Sequence, residues 1–430
     1  MPNRRCFGQT IVRRGLGRFA LGLVVFCIVA SLFTTASLAV ALDPGKKLTQ
    51  YVHDIWTRAD GLPQNSVGAM WQTADGYLWI GTQAGLARFD GVDFAVFDAG
   101  NSPLSTESVL ALHEDADGWL WIGTSEGLLR MRSGAFETFG PNEGLPPGPI
   151  RALHQDRVGR LWILGDGKLA VYQGGRFVEV RDVEGRSVSR STSIVEASEG
   201  TIWITAGAVF RYSSDELREV PGTGSLPAPA SSLARTDGDR LWVGTSGDGL
   251  YVLGGDEIEH FTVRDGLPDP FITTLSIDSA GNLWIGTMGG GIARYAKGAM
   301  ETLPSEVALE MKSVVSIVED REANLWIGTN GGGLHRFKDG VFSTFASDEG
   351  LEVTSTSAIL EDREGALWIG SMGQGVFRYR DDQFTSFTTS NGLSTDVITS
   401  IAEDSAGALW FGGIGGLSRY DANRLYALRH

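Results

Sequence analysis

The run Leu78-Trp79-Ile80-Gly81-Thr82 returns along the chain, and its recurrence decides the fold. The tryptophan stands again at Trp121, Trp162, Trp203, Trp242, Trp284, Trp326, Trp368 and Trp410, at spacings of 42, 41, 41, 39, 42, 42, 42 and 42 residues. Nine of the twelve tryptophans therefore hold one repeat position, which marks them as structural blade residues. The residue before each is Leu, or Ile at Ile202. Gly follows two positions later in seven repeats, Leu164 and Thr205 being the exceptions. A fixed period over this length signals a repeat architecture, in which each unit buries its apolar face only by stacking on a neighbour.

One unit reads as four strands. An apolar run such as Val109-Leu110-Ala111-Leu112 comes first. An acidic turn follows, as in Glu361-Asp362-Arg363-Glu364-Gly365, and then the tryptophan strand. A Gly-rich loop leads to a third strand, as in Gly333-Leu334-His335-Arg336-Phe337. A fourth shows apolar alternation, as in Phe342-Ser343-Thr344-Phe345. A loop of the form Asp60-Gly61-Leu62-Pro63 opens the next unit. Short alternating runs between Gly/Asp/Asn turns are antiparallel strands. Four of them in about 42 residues is the arithmetic of a propeller blade, so the fold class is all-β, a β-propeller of four-stranded blades.

Single positions agree. Ten residues before each tryptophan stand Ala69, Ala111, Ala152, Ser193, Ser232, Thr274, Ser316, Ala358 and Ser400, all small. Crowding of the innermost strand against the central axis would explain them. The next residue is apolar in every repeat, from Met70 to Ile401, and suits packing between blades. The indole is expected to pack there with its N–H on a backbone acceptor. The glycines after it suit tight loops with positive φ.

Composition narrows the classes further. The chain has 430 residues, 58 Gly, 14 Pro, 42% apolar residues and a formal charge of −16. That excludes collagen-like and wholly disordered chains, and the acidic balance argues against nucleic acid as a partner. Residues 1–41 differ from the rest. They hold five arginines, no acid, an apolar run from Phe19 to about Phe33, and Ala39-Val40-Ala41 at the end. This reads as a secretory signal peptide. The 23 residues from Phe19 to Ala41 are also long enough for an N-terminal membrane anchor. Beyond residue 41 the chain has 31 Lys and Arg against 52 acids, a charge of −21, and no cysteine.

The run from Asp320 through Asn324-Leu325-Trp326-Ile327-Gly328-Thr329-Asn330-Gly331-Gly332-Gly333-Leu334 resembles the two-component regulator propeller repeat. Leu48-Thr49-Gln50-Tyr51 to Trp56, followed by Asp60-Gly61-Leu62-Pro63-Gln64-Asn65-Ser66-Val67, resembles the start of the periplasmic sensor domains built from it. The resemblance spans 45–430. It implies an exported ligand-sensing region of a bacterial signalling protein, periplasmic or tethered to the inner membrane. Such regions usually carry two seven-bladed propellers in tandem. A membrane helix and an output domain follow, such as a histidine kinase or diguanylate cyclase. This sequence has nine repeats and no kinase or cyclase signature, so the chain is not expected to be an enzyme. A receptor truncated before its membrane and output domains is one expectation, a standalone binding module the other.

The repeat count leaves two architectures open. Tyr51 to Thr57 aligns with a fourth strand that lacks an earlier blade. It could complete a seven-repeat propeller over 45–340, with 341–430 as two blades of an incomplete second propeller. One ring of eight or nine blades is the alternative.

Function is expected on the face formed by the loops between blades and the loops after the tryptophan strand. The latter are one residue longer in repeats five to eight. Their variable residues are the ligand-binding candidates: Gln83, Glu126, Asp248, Met288, Asn330, Met372 and Gln374. An unknown small molecule or oligosaccharide is the expected ligand, and a homodimer through the propeller a further expectation. His113 and His154 share a repeat position, which places them in adjacent blades. The Asp six before the tryptophan (Asp115, Asp156, Asp278, Asp320, Asp362, Asp404) suits capping of its turn. No catalytic order, metal spacing or cofactor fingerprint appears. The competing functions are an exported propeller enzyme of lyase or hydrolase type and a protein-interaction scaffold. Residues 187–230 depart most from the pattern, as either a decayed blade or a specialised lip.

Overall fold

The computed structural model describes residues 41–430 except 105–107, 146, 166–167, 189–191, 237–239, 255–257, 304–310, 312, 341–349, 352–354, 382, 423 and 429–430. The leader read at 1–41 lies outside the described residues save Ala41, and so does the fourth-strand example at 342–345. The described residues form nine four-stranded antiparallel sheets, and their helices are three-residue 3-10 turns.

Residues up to Asp339 make one compact unit and residues 340–430 a second. In the first unit, the inner strands begin at Val67, Val109, Ile150, Ser193, Ala230, Ile272 and Val314. Each contacts the next, and the last contacts the first, so seven sheets close a circle. The seventh sheet borrows its outer strand from the start of the chain. Val52–Trp56 pairs antiparallel with Leu334–Lys338, from Val52 opposite Lys338 to Trp56 opposite Leu334. The second unit holds two sheets whose inner strands are Thr356–Glu361 and Ile398–Glu403.

The glycines, and the small residues opposite them, meet the inner strand of the next blade. A Cβ on Gly286 would fall 2.6 Å from Thr274 Cγ2 and 2.7 Å from Val314 Cγ1. On Gly123 it would fall 2.8 Å from Ile150 Cγ2. Where Gly stands two after the tryptophan, it makes the hole for a knob, the β-branched residue that opens the next inner strand; Leu164 and Thr205 are followed instead by strands opening on Ser193 and Ala230. These glycines do not have positive φ. The positive-φ ones sit further along the loop, as at Gly85 and Gly249. The knob also explains why the residue ten before the tryptophan is small, since Ala69 packs with Val109 and Leu112 of the next blade.

The indoles bury themselves against the following blade. Trp121 meets Tyr172 at 5.2 Å and Trp162 meets Tyr212 at 4.8 Å between ring centroids. Their N–H groups go to side chains rather than to the backbone. Trp284 Nε1 donates to Asp278 Oδ2 at 2.8 Å, while Asp278 Oδ1 accepts the backbone N–H groups of Ala280 and Asn282 at 3.1 and 2.8 Å. The same Asp serves Trp121, Trp162, Trp326, Trp368 and Trp410, and a threonine hydroxyl serves Trp79 and Trp242. One carboxylate therefore caps the turn and satisfies the indole. Blade four breaks the pattern. Ala197 stands at the Asp position, and Trp203 Nε1 is buried without a hydrogen-bond partner among the described residues. An unmet buried donor costs on the order of 1 kcal/mol or more. A197D is therefore expected to raise unfolding stability by about 1 kcal/mol in urea titration. A variant no more stable than the parent would show that Trp203 does not use this acceptor.

Adjacent turns are latched at the opposite end from the tryptophan-strand loops. The last residue of an inner strand accepts a backbone N–H from the preceding blade's turn. Examples are Glu114 from Ala74 at 2.6 Å, Gln155 from Ala116 at 2.8 Å and Glu319 from Ser279 at 2.7 Å. Gln72 accepts from Arg321 at 2.8 Å, which carries the latch across the closure between blades seven and one.

Candidate functional site

The loop face is built on buried hydroxyls. Thr82, Thr124, Thr245, Thr287 and Thr329, three after the tryptophan, are fully or almost fully buried. Thr82 Oγ1 donates to Gly85 O at 3.0 Å, three residues on. Thr245, Thr287 and Thr329 donate to Gly249, Gly291 and Gly333, four residues on, each at 2.8 Å. The extra residue in the later loops is thus accommodated on an unchanged anchor. From the other side the interblade leucines seal the face, with Leu62 at 2% and Leu104 at 0% exposure.

The candidates read from sequence separate into groups. Gln83 and Asn330 meet at the seam of blades one and seven, around Ser66. Ser66 Oγ donates to Asn330 Oδ1 at 2.9 Å, and the Gln83 N–H donates to Ser66 O at 3.3 Å. Glu126 is exposed at the blade-two loop, where its N–H is held by Thr124. Met372 and Gln374 lie on the first loop of the second unit. Met372 N–H donates to Ser355 O and Gln374 N–H to Ser371 Oγ.

Asp248 and Met288 belong to a denser constellation at blades five and six. Asp248 Oδ2 accepts from the Tyr251 hydroxyl at 2.5 Å, and Asp248 O lies 2.6 Å from His260 Nε2. The Tyr251 and His260 rings stack at 4.1 Å and 5°. Burial, and then Asp248, push the Tyr251 hydroxyl up to about 12, so it stays a donor at neutral pH. Phe271 continues the surface. Its ring would lie 3.1 Å from a Cβ on Gly247, and its carbonyl accepts the Met288 N–H at 3.0 Å. Phe271 is 44% and Met288 57% exposed.

Neither apolar residue is demanded by the repeat. At the Phe271 position the other first-unit repeats carry Ser66, Ser108, Pro149, Arg190, Pro229 and Ser313. At the Met288 position they carry Gln83, Ser125, Asp166, Gly207, Ser246 and Asn330. Blade six alone in this unit sets an aromatic ring and a thioether side by side in solvent. Phe271, Tyr251 and His260 were not among the sequence candidates. The available signal was this change of character at a fixed repeat position.

The histidine pair is structural in its bonding. His113 lies 4.6 Å from Trp71 and 6.2 Å from His154 between centroids. It is 8% exposed, and its Nε2 accepts the Gln155 N–H at 3.1 Å. Burial, with His154 beside it, holds its pKa down to about 4, so it is neutral and occupied as an acceptor. His154 Nε2 faces Glu196 Oε2 at 3.3 Å. Among the described residues, no group of three or more His, Cys, Asp or Glu is placed to hold a metal ion.

Five stretches, residues 103–126, 144–167, 266–289, 350–373 and 392–415, match the family described as two component regulator propeller. These five stretches are two component regulator propeller repeats. Each matched stretch runs from an interblade loop, through the inner and tryptophan strands, to the loop beyond. A regulator propeller repeat therefore contributes both of its loops to the face that holds Phe271 and Met288. No curated protein matches the sequence.

Solved structures share the fold. One is the extracellular domain assigned to the hybrid two component system BT3049 of B. thetaiotaomicron, at TM-score 0.69 and 21% identity, over 88% of this chain and 54% of that one. Another is the extracellular domain assigned to the hybrid two component system BT4673 of the same organism, at TM-score 0.55 and 20% identity, over 89% and 53%. The chain thus spans about half the length of these two structures. Virginiamycin B lyase from Staphylococcus aureus is similar at TM-score 0.53 and 14% identity, over 67% of this chain and 99% of that one.

Proposed function

We propose that this chain is a ligand-sensing propeller region of an exported bacterial signalling receptor, and that it reads its cue on the loop face at blades five and six. The observation that carries the reading is the exposed Phe271–Met288 pair, set where the other first-unit repeats carry no aromatic residue and no methionine. Apolar groups kept in solvent beside convergent polar ones mark binding surfaces. Here the polar groups are Asp248, Tyr251 and His260. The cue is a small molecule or an oligosaccharide, whose ring faces would lie on Phe271 and whose hydroxyls would meet Asp248 and His260. The arginine-rich leader and the extracellular neighbours support a periplasmic location. The repeats support a signalling role with no chemistry of its own. The two-sheet unit of residues 340–430 is read as part of a second propeller. Ile359 there is 66% exposed, while its first-unit equivalents Met70, Leu112 and Ile317 are 4%, 6% and 6% exposed. That face is one a further blade would cover.

The test is a thermal-shift screen of oligosaccharides and small metabolites, followed by calorimetry on the hits. A compound that stabilises the parent is expected to bind at least tenfold more weakly to the F271S/M288S variant. Both side chains are largely exposed, so the variant should fold. Unchanged affinity in the variant would remove the site from blades five and six. A screen without a single stabilising compound would count against the small-molecule cue itself.

A further inference from the structure

Blade four departs from its siblings in a second way. In the other eight blades an arginine covers the tryptophan. The guanidinium carbon lies 5.1 to 6.0 Å from the indole centroid, as for Arg130 over Trp121, Arg294 over Trp284 and Arg336 over Trp326. In three blades a carboxylate opposite the arginine, on the outer strand, holds it there. Arg130 pairs with Glu137, Arg294 with Glu301 and Arg336 with Asp54. Blade four has the same row, Trp203 opposite Arg211, but the outer-strand residue is Arg218. Like charges directly opposite on one sheet face repel. Arg218 turns to Glu216, which it binds through Nε at 3.0 Å and Nη2 at 2.7 Å. Arg211 is exposed and has no hydrogen-bond or ion-pair partner among the described residues, and no cation lies over Trp203.

The uncovered indole opens onto a cleft. Trp203, Arg211 and Arg218 line a cavity of about 660 Å³, within the range of small-molecule sites. Its outer wall is an added turn, Asp182 to Arg186, which docks on the blade-four outer strand through Val183 N–H to Leu217 O at 3.1 Å. The charges of that wall are internally paired. Arg186 Nε binds Asp182 Oδ2 at 2.6 Å and its Nη1 meets Glu184 at 3.1 Å. Glu219 lies at the far edge, on the other side of the outer strand from Arg218 by alternation. Arg211 is thus the cation in the cleft left to answer a ligand.

We infer that this cleft on blade four is a binding site for a ring bearing one carboxylate. The ring would lie on Trp203, and the carboxylate would pair with Arg211 on the side that faces Arg218. The guanidinium fork fits a carboxylate bidentately. A carboxylate between the two arginines also relieves their opposition. The apolar ring face occupies the place that an arginine fills in every other blade. Glu219 at the rim disfavours a second negative charge, which separates this ligand from a polyanion. The site is distinct from the loop face of blades five and six, and neither depends on the other. An aromatic acid and a uronic acid share the required chemistry.

The experiment is saturation-transfer NMR and calorimetry on the chain with four probes: D-glucuronate, indole-3-acetate, and their uncharged counterparts glucose and indole. One or both carboxylates are expected to bind, and their uncharged counterparts at least tenfold more weakly. R211Q is expected to weaken binding at least tenfold. R218E restores the carboxylate found in blades two, six and seven. It is expected to draw Arg211 over Trp203, abolish binding and raise the unfolding midpoint, so that loss of binding is not loss of fold. The F271S/M288S variant should bind these probes as the parent does. Equal binding of charged and uncharged probes, no binding of either carboxylate at about 10 mM, or undiminished binding by R218E would each overturn the inference. The two carboxylates compared decide between an aromatic and a sugar source.

Discussion

Between pH 8 and pH 5 the first unit is expected to lose about 4 kcal/mol of stability through two buried histidines. His113 and His335 are 8% and 0% exposed, and both have pKa values held down to about 4. Burial is the larger cause in each case, and a neighbouring histidine adds to it: His154 beside His113, His53 beside His335. His335 Nδ1 lies 2.9 Å from His53 Nε2, with the rings stacked at 5.2 Å, across the strand pair that closes the ring. An unfolded histidine titrates near 6.5. Between that value and 4 the unfolded chain binds more protons than the folded one. Stability therefore falls as the pH drops through this window and levels off below it. Each histidine contributes about 2 kcal/mol of loss by pH 5. Glu319 works in the opposite sense, since burial raises its carboxyl pKa, and it trims the loss somewhat. Urea unfolding of the parent and of H113Q/H335Q at the two pH values checks this. The double variant should lose most of the pH dependence, and a slope that persists undiminished would show that other groups carry it.

The second large effect concerns the closure of the ring. Arg294 is 3% exposed and ties the start of the chain to blade six. It donates to the Tyr51 hydroxyl at 2.6 Å, to Lys46 O at 2.7 Å and to Glu301 Oε2 at 2.6 Å. The Tyr51 hydroxyl in turn donates to Asp43 O at 2.7 Å, and Leu48 N–H to Glu301 Oε1 at 2.9 Å. Removing one partner of a buried, hydrogen-bonded charge set costs roughly 3–5 kcal/mol. R294A is expected to fall in that range and to free Val52–Trp56 for proteolysis. R294K keeps the charge without the fork and should recover only part of it. R130A removes an arginine over an indole that has no such tie to the chain start, and should cost about 1 kcal/mol. Equal losses for R294A and R130A would mean that the anchor contributes nothing special.

Much of the strand order was legible because the repeat is dense in signal. Seven of the nine tryptophan strands carry the glycine, and six of the nine turns the Asp. Two physical readings went astray for a common reason. The glycine two after the tryptophan looked like a loop glycine, but it is the hole for a knob on the next blade, as Gly286 is for Val314. The indole N–H was expected on backbone, but it goes to the Asp six residues earlier. In both cases the partner is set by how strands and blades face each other, and spacing along one strand does not report that. The candidate site shows the same limit. Asp248 and Met288 were found as variable loop residues. Tyr251, His260 and Phe271 were not, because they sit on a third strand, an outer strand and an interblade loop that only the fold brings together.

By itself the sequence determined the unit: four strands, a capped turn and a buried indole about every 42 residues. Those are local demands, met by alternation, turn chemistry and the size of single side chains. Only the tertiary structure decided where the ring closes. Closure depends on Val52–Trp56 finding Leu334–Lys338 across 278 or more residues of chain, and the repeat pattern alone left a ring of seven, eight or nine blades open. Only the tertiary structure showed that Arg218 faces Arg211 where sister blades set a carboxylate. Charge type is written in the sequence. Which charges oppose each other is fixed by strand register.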